Sequence, residues 1–169
     1  RFCHRAYMAL GRNDDSLGDM SEEALLQALE SWLAPFIPSD GRLSAQDILA
    51  ALRYRTDARI IDAEVPERIT LPNGLSRPLV YKDLGTGEGA IPILEIRIQE
   101  LFGCGETPRV LGRPVLLRLL SPARRPIQIT SDLAGFWKNT WPEVRKEMKG
   151  RYPKHKWPED PFAPVPVKP

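Results

Sequence analysis

The chain has 169 residues, 42% of them hydrophobic, which is enough for one packed core or for two small lobes. No apolar run approaches the roughly 18–20 residues that cross a bilayer as a helix, so no membrane partner is expected. A formal net charge of +2 hides strong polarisation: Thr107–Trp157 holds twelve Lys/Arg against three Asp/Glu, and the rest of the chain holds twelve against nineteen. Asymmetry of that kind points to a polyanion or an acidic surface as the partner of the basic part.

Residues 1–10 read like the end of a helix without an initiator Met, so the chain is expected to be part of a longer polypeptide. A polar loop over 11–19 follows. Ser21 is a good N-cap, with Met20 and Leu25 as the two ends of a hydrophobic staple. The run Leu25, Leu26, Leu29, Trp32 and Leu33 has helical spacing, and Pro35 stops it. A second helix opens at Ser44, which forms a capping box with Asp47, and extends to about Arg55.

The pattern then changes. Glu67–Leu71 and Pro78–Leu84 alternate around Pro72-Asn73-Gly74, a strand–turn–strand signal. Ile91–Phe102 fits either a helix or a strand; the spacing of Ile91, Leu94, Ile98, Leu101 and Phe102 and the stop at Gly103 favour a helix. Pro114–Leu120 and Pro126–Ile129 read as a strand pair joined across Ser121-Pro122-Ala123. Two short helices follow. The first is capped among Thr130–Asp132 and turns Leu133, Phe136 and Trp137 inward. The second has a Thr140/Glu143 capping box, Pro142 in its first turn and Gly150 at its end. The prolines beyond Tyr152 predict an extended tail, disordered after about Pro161.

The fold class is therefore α+β: N-terminal helices, short antiparallel strands, C-terminal helices and a Pro-rich extended tail. The expected organisation is a helical segment over 1–56, an α+β part over 57–161 and a tail over 162–169.

Few motifs suggest chemistry. Gly85-Thr86-Gly87-Glu88-Gly89-Ala90 matches a relaxed dinucleotide fingerprint. Glu88 would place negative charge where pyrophosphate should lie, and too few parallel βα units follow. A small nucleotide-binding enzyme using Gly85–Ala90 is thus the weakest of three readings. No G-x-x-x-x-G-K-[ST] loop and no G-x-S-x-G elbow occur. His4 and His155 lack metal-ligand spacing with Cys3 or Cys104, and the two cysteines form no paired framework. Reduced thiols in a cytoplasmic protein, without a catalytic site or a bound metal, are the expectation.

The basic segment carries the most information. Between Arg125 and Pro161 three of the four tryptophans (Trp137, Trp141, Trp157) stand among Lys138, Arg145, Lys146, Lys149, Arg151, Lys154 and Lys156. Helical spacing of Trp141, Val144 and Met148 makes Trp141 a core anchor. The seven cations are the candidate nucleic-acid-binding residues, acting on phosphates without sequence preference. An ionic contact to an acidic protein surface is the alternative.

The same segment resembles the C-terminal domain of HrpB-type bacterial ATP-dependent helicases, a DExH/DEAH-box RNA helicase group. Matching elements are Leu119-Leu120-Ser121-Pro122-Ala123, Arg125-Pro126-Ile127-Gln128-Ile129-Thr130, Asp132–Trp137, Glu143–Met148, Lys149–His155 and Trp157–Pro161. Upstream, Arg97–Gly103 with Glu106-Thr107-Pro108 is also similar, as are Leu29–Pro35 and Val65–Gly74 more loosely. The resemblance implies a cytoplasmic parent that unwinds or remodels RNA with ATP and Mg, its motor domains being partners within the same polypeptide. The Walker A loop and DExH box are absent from these residues, so the resemblance transfers no catalytic position. What it implies here is a non-catalytic accessory domain, weakly RNA-binding or docked on the motor.

Overall fold

A computed structural model of the protein describes residues 5, 22–56, 58–83 and 90–162. The expected helix end over 1–10 (Arg5 apart), the loop over 11–19, the Met20/Ser21 cap, the Gly85–Gly89 loop and the tail beyond Phe162 lie outside the described residues. The chain divides into two compact units, Arg1–Pro66 with Tyr81–Ile91, and Glu67–Val80 with Pro92–Pro169.

In the first unit the run from Leu25 forms two helices, α1 (Glu22–Gln27) and α2 (Leu29–Leu33), separated at Ala28. Pro35 sits in a 3₁₀ turn, Ala34–Phe36, that ends them as its missing N–H requires. Trp32 is buried and its indole N–H donates to the Leu25 carbonyl at 3.0 Å. Helix α3 (Ala45–Arg55) has the expected capping box: Asp47 N–H donates to Ser44 Oγ at 3.2 Å, and Ser44 N–H to Asp47 Oδ2 at 2.9 Å. Hydrogen bonds from the Ser44 hydroxyl and then from its backbone hold the Asp47 carboxyl below its ordinary pKa.

Helix α4 (Ala58–Glu64) has no counterpart among the sequence expectations. It buries Ile61 completely and is finished by a residue from far upstream. The Arg5 guanidinium, 2% exposed, donates to Val65 O at 2.6 Å and Ile61 O at 3.4 Å, and pairs with Asp62 at 2.7 Å. Ile61 O also accepts Val65 N–H at 2.8 Å, so the carbonyl that depends on the cation at this helix C-terminus is that of Val65.

The second unit begins with β1 (Arg68–Thr70) and β2 (Ser76–Pro78), paired antiparallel. The turn stands where Pro72-Asn73-Gly74 predicts it, but the return strand is Ser76–Pro78. The segment expected as Pro78–Leu84 is divided: Pro78 ends β2, Leu79 N–H still donates to Glu67 O at 2.9 Å, and Val80–Asp83 forms a separate strand, β3.

Ile91–Phe102 corrects the helix expectation. Ala90–Arg97 is a strand, β4, and only Ile98–Leu101 turns, as a 3₁₀ segment stopped by Gly103 at φ +86°. The error has a physical cause: β4 is buried along most of its length and lies parallel to β7 (Leu116–Leu120), Ile93 facing Leu116 and Arg97 facing Leu120. Strands buried on both faces read as continuous apolar runs, which a helical stripe can also fit. The expectation of purely antiparallel strands is corrected by the same pair, within a fold that is α+β as expected.

Strand β7 then pairs antiparallel with β8 (Pro126–Thr130) across the expected Ser121-Pro122-Ala123 turn. A two-residue hairpin, β5 (Arg109–Val110) and β6 (Arg113–Pro114), precedes them.

The C-terminal helices run on from one another. Asp132 caps α5 (Leu133–Gly135) by accepting from Gly135 N–H at 2.8 Å; a Cβ on Gly135 would lie 2.1 Å from Asp132 Oδ2, so a larger residue there would push the capping carboxylate aside. A π turn, Phe136–Thr140, leads directly into α6 (Trp141–Arg151). The expected Thr140/Glu143 capping box is absent: Thr140 has helical dihedrals and its side chain makes no cap. The helix is already under way at Thr140, which removes the need for a cap, and Pro142 accounts for the π turn. It lacks the N–H that would bond residue 138, so the ladder widens upstream and Trp141 N–H reaches Phe136 O.

Phe102, Phe136, Trp137, Trp141 and Trp157 form the aromatic heart of this unit, with ring centroids 5.1–6.5 Å apart in neighbouring pairs. Each indole N–H is satisfied by a carbonyl: Trp137 by Cys104, Trp141 by Pro158 and Trp157 by Tyr152. Trp141 is 1% exposed, the core anchor its spacing predicts.

Candidate nucleic-acid interface

The buried aromatics decide how the basic segment can act. None of Trp137, Trp141 and Trp157 offers a ring face to solvent, so none is a platform for stacking bases. What remains at the surface is charge.

Two elements present it. Helix α6 turns Trp141 and Met148 inward and leaves Lys146 and Lys149 exposed. Its dipole suits this arrangement, with Glu143 in the first turn and Lys149 and Arg151 in the last. The segment after α6 folds back along the aromatic cluster. His155 N–H donates to Tyr152 O, the Trp157 indole is buried, and Pro161 O accepts from Gly103 N–H at 2.8 Å. Lys154 and Lys156 are exposed on this return segment, and Lys138 on the π turn. Lys138, Lys146, Lys149, Lys154 and Lys156 make no ion pair among the described residues.

The two arginines of the predicted set differ. Arg145 is half-buried; its Nε donates to Trp157 O at 3.0 Å and its Nη2 meets Glu159 Oε1 at 3.0 Å. It ties α6 to the return segment and so fixes where Lys154 and Lys156 stand. Arg151 pairs with Glu147 one turn earlier at 3.2 Å, an exposed contact of the kind worth a few tenths of a kcal/mol (~0.3–0.5). The seven predicted residues thus comprise five exposed lysines, one clamp and one surface pair.

The sequence reading left out Arg124 and Arg125. Both are exposed on the β7–β8 turn and make no ion pair among the described residues. An Arg doublet after Ser-Pro-Ala was visible, but not its place in the fold. Tyr152, the residue that follows α6, donates from its hydroxyl to Ser121 Oγ at 3.3 Å.

The one loop that suggested a nucleotide, Gly85–Ala90, lies outside the described residues apart from Ala90. The chain has no Walker A sequence, and among the described residues no three His, Cys, Asp or Glu side chains converge as metal ligands. Cys104 is buried; burial raises its thiol pKa despite a hydrogen bond from the Asn73 backbone, which suits a packing role. Among the described residues no helix is long and apolar enough to cross a membrane.

The comparisons with known proteins agree on one relative. The ATP-dependent RNA helicase HrpB of Escherichia coli (strain K12) is 44% identical over 157 residues, which cover 88% of this chain and 19% of that protein. The crystal structure of the E. coli DExH-box NTPase HrpB superposes with a TM-score of 0.85 at 39% identity, over 98% of this chain and 21% of that one. A second crystal structure, of the Escherichia coli DEAH/RHA helicase HrpB, gives 0.67 at 40% identity, over 92% and 20%. The chain therefore spans about a fifth of the length of these relatives. Residues 15–161 match the family described as ATP-dependent helicase C-terminal, HrpB_C, and the chain belongs to that family.

Proposed function

We propose that this chain is the non-catalytic accessory domain of a cytoplasmic ATP-dependent RNA helicase, and that α6 with the segment after it offers a basic surface to RNA. ATP and Mg then act in motor domains elsewhere in the same polypeptide, and no residue described here takes part in that chemistry. The observation that carries the reading is the set of five exposed lysines, Lys138, Lys146, Lys149, Lys154 and Lys156, without ion-pair partners among the described residues. Unbalanced cations release counterions when they meet phosphates, and with the aromatics buried the contact is blind to base identity.

A second reading keeps some support. Arg145 and Arg151 show that carboxylates already lie beside the basic side chains, so an acidic protein surface, including the motor domains, would also be accepted.

Fluorescence anisotropy of a labelled single-stranded RNA, titrated with the full chain at several salt concentrations, tests the proposal. If about four phosphates are contacted, log affinity falls against log salt with a slope near −3, at about −0.7 per contact. Lys149→Ala with Lys154→Ala should make that slope shallower by about 1.4 and weaken binding alike on every sequence. Absence of binding at low salt rejects the RNA reading and leaves protein docking.

A further inference from the structure

The turn between β7 and β8 is built around one serine. Ser121, 2% exposed, donates its N–H to Arg125 O at 2.8 Å, accepts from Arg124 N–H on its carbonyl at 2.9 Å and accepts from Arg125 N–H on Oγ at 3.1 Å. The Tyr152 hydroxyl adds a bond to the same Oγ across 31 residues of sequence. The turn that carries Arg124 and Arg125 is thereby tied to Tyr152, the residue after α6, with Lys149 and Arg151 in the last turn of that helix and Lys154 just beyond it.

Two further features mark this turn. Arg124 has φ +59°, a left-handed conformation that suits glycine and strains any residue bearing a Cβ. Its side chain and that of Arg125 both point to solvent without an ion pair among the described residues. Cations gathered from two chain segments repel one another unless a polyanion joins them, and among the described residues Glu147 alone forms an ion pair with them.

We infer that Arg124 and Arg125 are a second arm of the RNA-binding surface, so that the β7–β8 turn and the end of α6 grip neighbouring phosphates of one sugar-phosphate backbone. This rests on the RNA reading above and adds residues to it. Arginines suit the part, since the guanidinium fork engages a phosphate through two parallel hydrogen bonds where lysine acts as a point charge. Tyr152 and Ser121 are positioning residues: they touch no phosphate and hold the two arms in register.

The same anisotropy titration on the full chain tests the inference. Arg124→Gly with Arg125→Ala keeps the turn, because glycine accepts the left-handed conformation. The expected result is a salt slope shallower by about 1.4 and an affinity at least about tenfold lower at 50 mM salt, as two lost single-strand contacts require. If that variant does not fold, Arg124→Gln with Arg125→Gln removes the charge while keeping side-chain length, and the same losses are expected. Tyr152→Phe should weaken binding and flatten the slope by less than the double variant.

The outcomes separate. If the unaltered chain fails to bind RNA, the RNA reading falls and this inference with it. If it binds, responds to Lys149→Ala with Lys154→Ala, and ignores the Arg124/Arg125 variants in affinity and slope, the second arm alone is overturned. If the Arg124/Arg125 variants lose binding to a poly-glutamate peptide but keep it for RNA, the turn faces acidic protein and the inference is again overturned.

Discussion

The two units bury apolar surface very differently. Among the described residues twenty of the twenty-seven buried hydrophobic side chains lie in the second unit and seven in the first. Six of the eight large hydrophobic residues left exposed (Leu26, Leu29, Ile37, Leu43, Ile48 and Tyr54) lie in the first. The second unit is held by interlocked aromatics, the first by short helices pinned through polar contacts such as Arg5 with Asp62 and the Val65 carbonyl. Burial of large rings contributes several kcal/mol each (~3–5 on truncation), whereas a net hydrogen bond contributes about one. Substitutions should therefore act on different scales in the two units.

The largest effect is expected at Trp141. It touches Phe102, Trp137 and Trp157 and fastens the return segment through Pro158 O. Trp141→Ala should cost about 3–5 kcal/mol by urea denaturation followed with far-UV circular dichroism. A neutral result would mean that the aromatic cluster is not what holds the second unit, and the contrast between the units would collapse.

The next effect belongs to the first unit. Arg5→Met should cost about 1–3 kcal/mol, because it takes the Arg5 donor from the Val65 carbonyl, while the Ile61 carbonyl keeps Val65 N–H and Asp62 keeps Arg53. The loss should depend on pH. Desolvation pushes the Asp62 carboxyl up, but hydrogen bonds from Arg5 and Arg53 outweigh it, so its folded pKa lies below the unfolded value. A depressed carboxylate stabilises the fold fully above its unfolded pKa of about 3.9, and that stability disappears as pH falls through the lower folded value. The gap between the native protein and Arg5→Met should thus narrow from pH 6 toward pH 3 without closing, since the two carbonyl contacts do not titrate. A gap that widens on acidification would contradict the assigned pairing.

How legible each unit was in the sequence follows the same physics. Features set by neighbours in sequence were readable: the Ser44/Asp47 capping box, the β7–β8 turn, the Asp132 cap and the inward Trp137 and Trp141. Features set by distant partners were not. β4 reads as a helix until β7 stands beside it, and α4 is seven residues finished by an arginine more than fifty positions upstream. The Thr140/Glu143 motif was a genuine local signal overruled because α6 continues a helix already under way. At the candidate interface the lysines were legible by count, while the division of labour was not. Arg145 becomes a clamp only once Trp157 folds back, and Arg124 joins α6 only through Tyr152 and Ser121.

The smallest effect is expected where function is proposed. Lys154 and Lys156 are exposed, lack ion pairs among the described residues and sit on a segment whose anchors are other residues: the Trp157 ring, the Arg145 fork and Pro161 O. Removing either charge takes away no packing and relieves repulsion from neighbouring cations. Lys154→Ala and Lys156→Ala should each change stability by less than about 0.5 kcal/mol, as exposed sites do. A double substitution should stay near additive, because neither side chain shares a partner with the other. Chemical denaturation of the two single variants and the double measures this, beside the RNA titration on the same samples. Lost RNA affinity with unchanged stability assigns these lysines to binding. A loss above about 1 kcal/mol would exceed what exposed charges usually contribute, and would make them part of what holds the return segment in place.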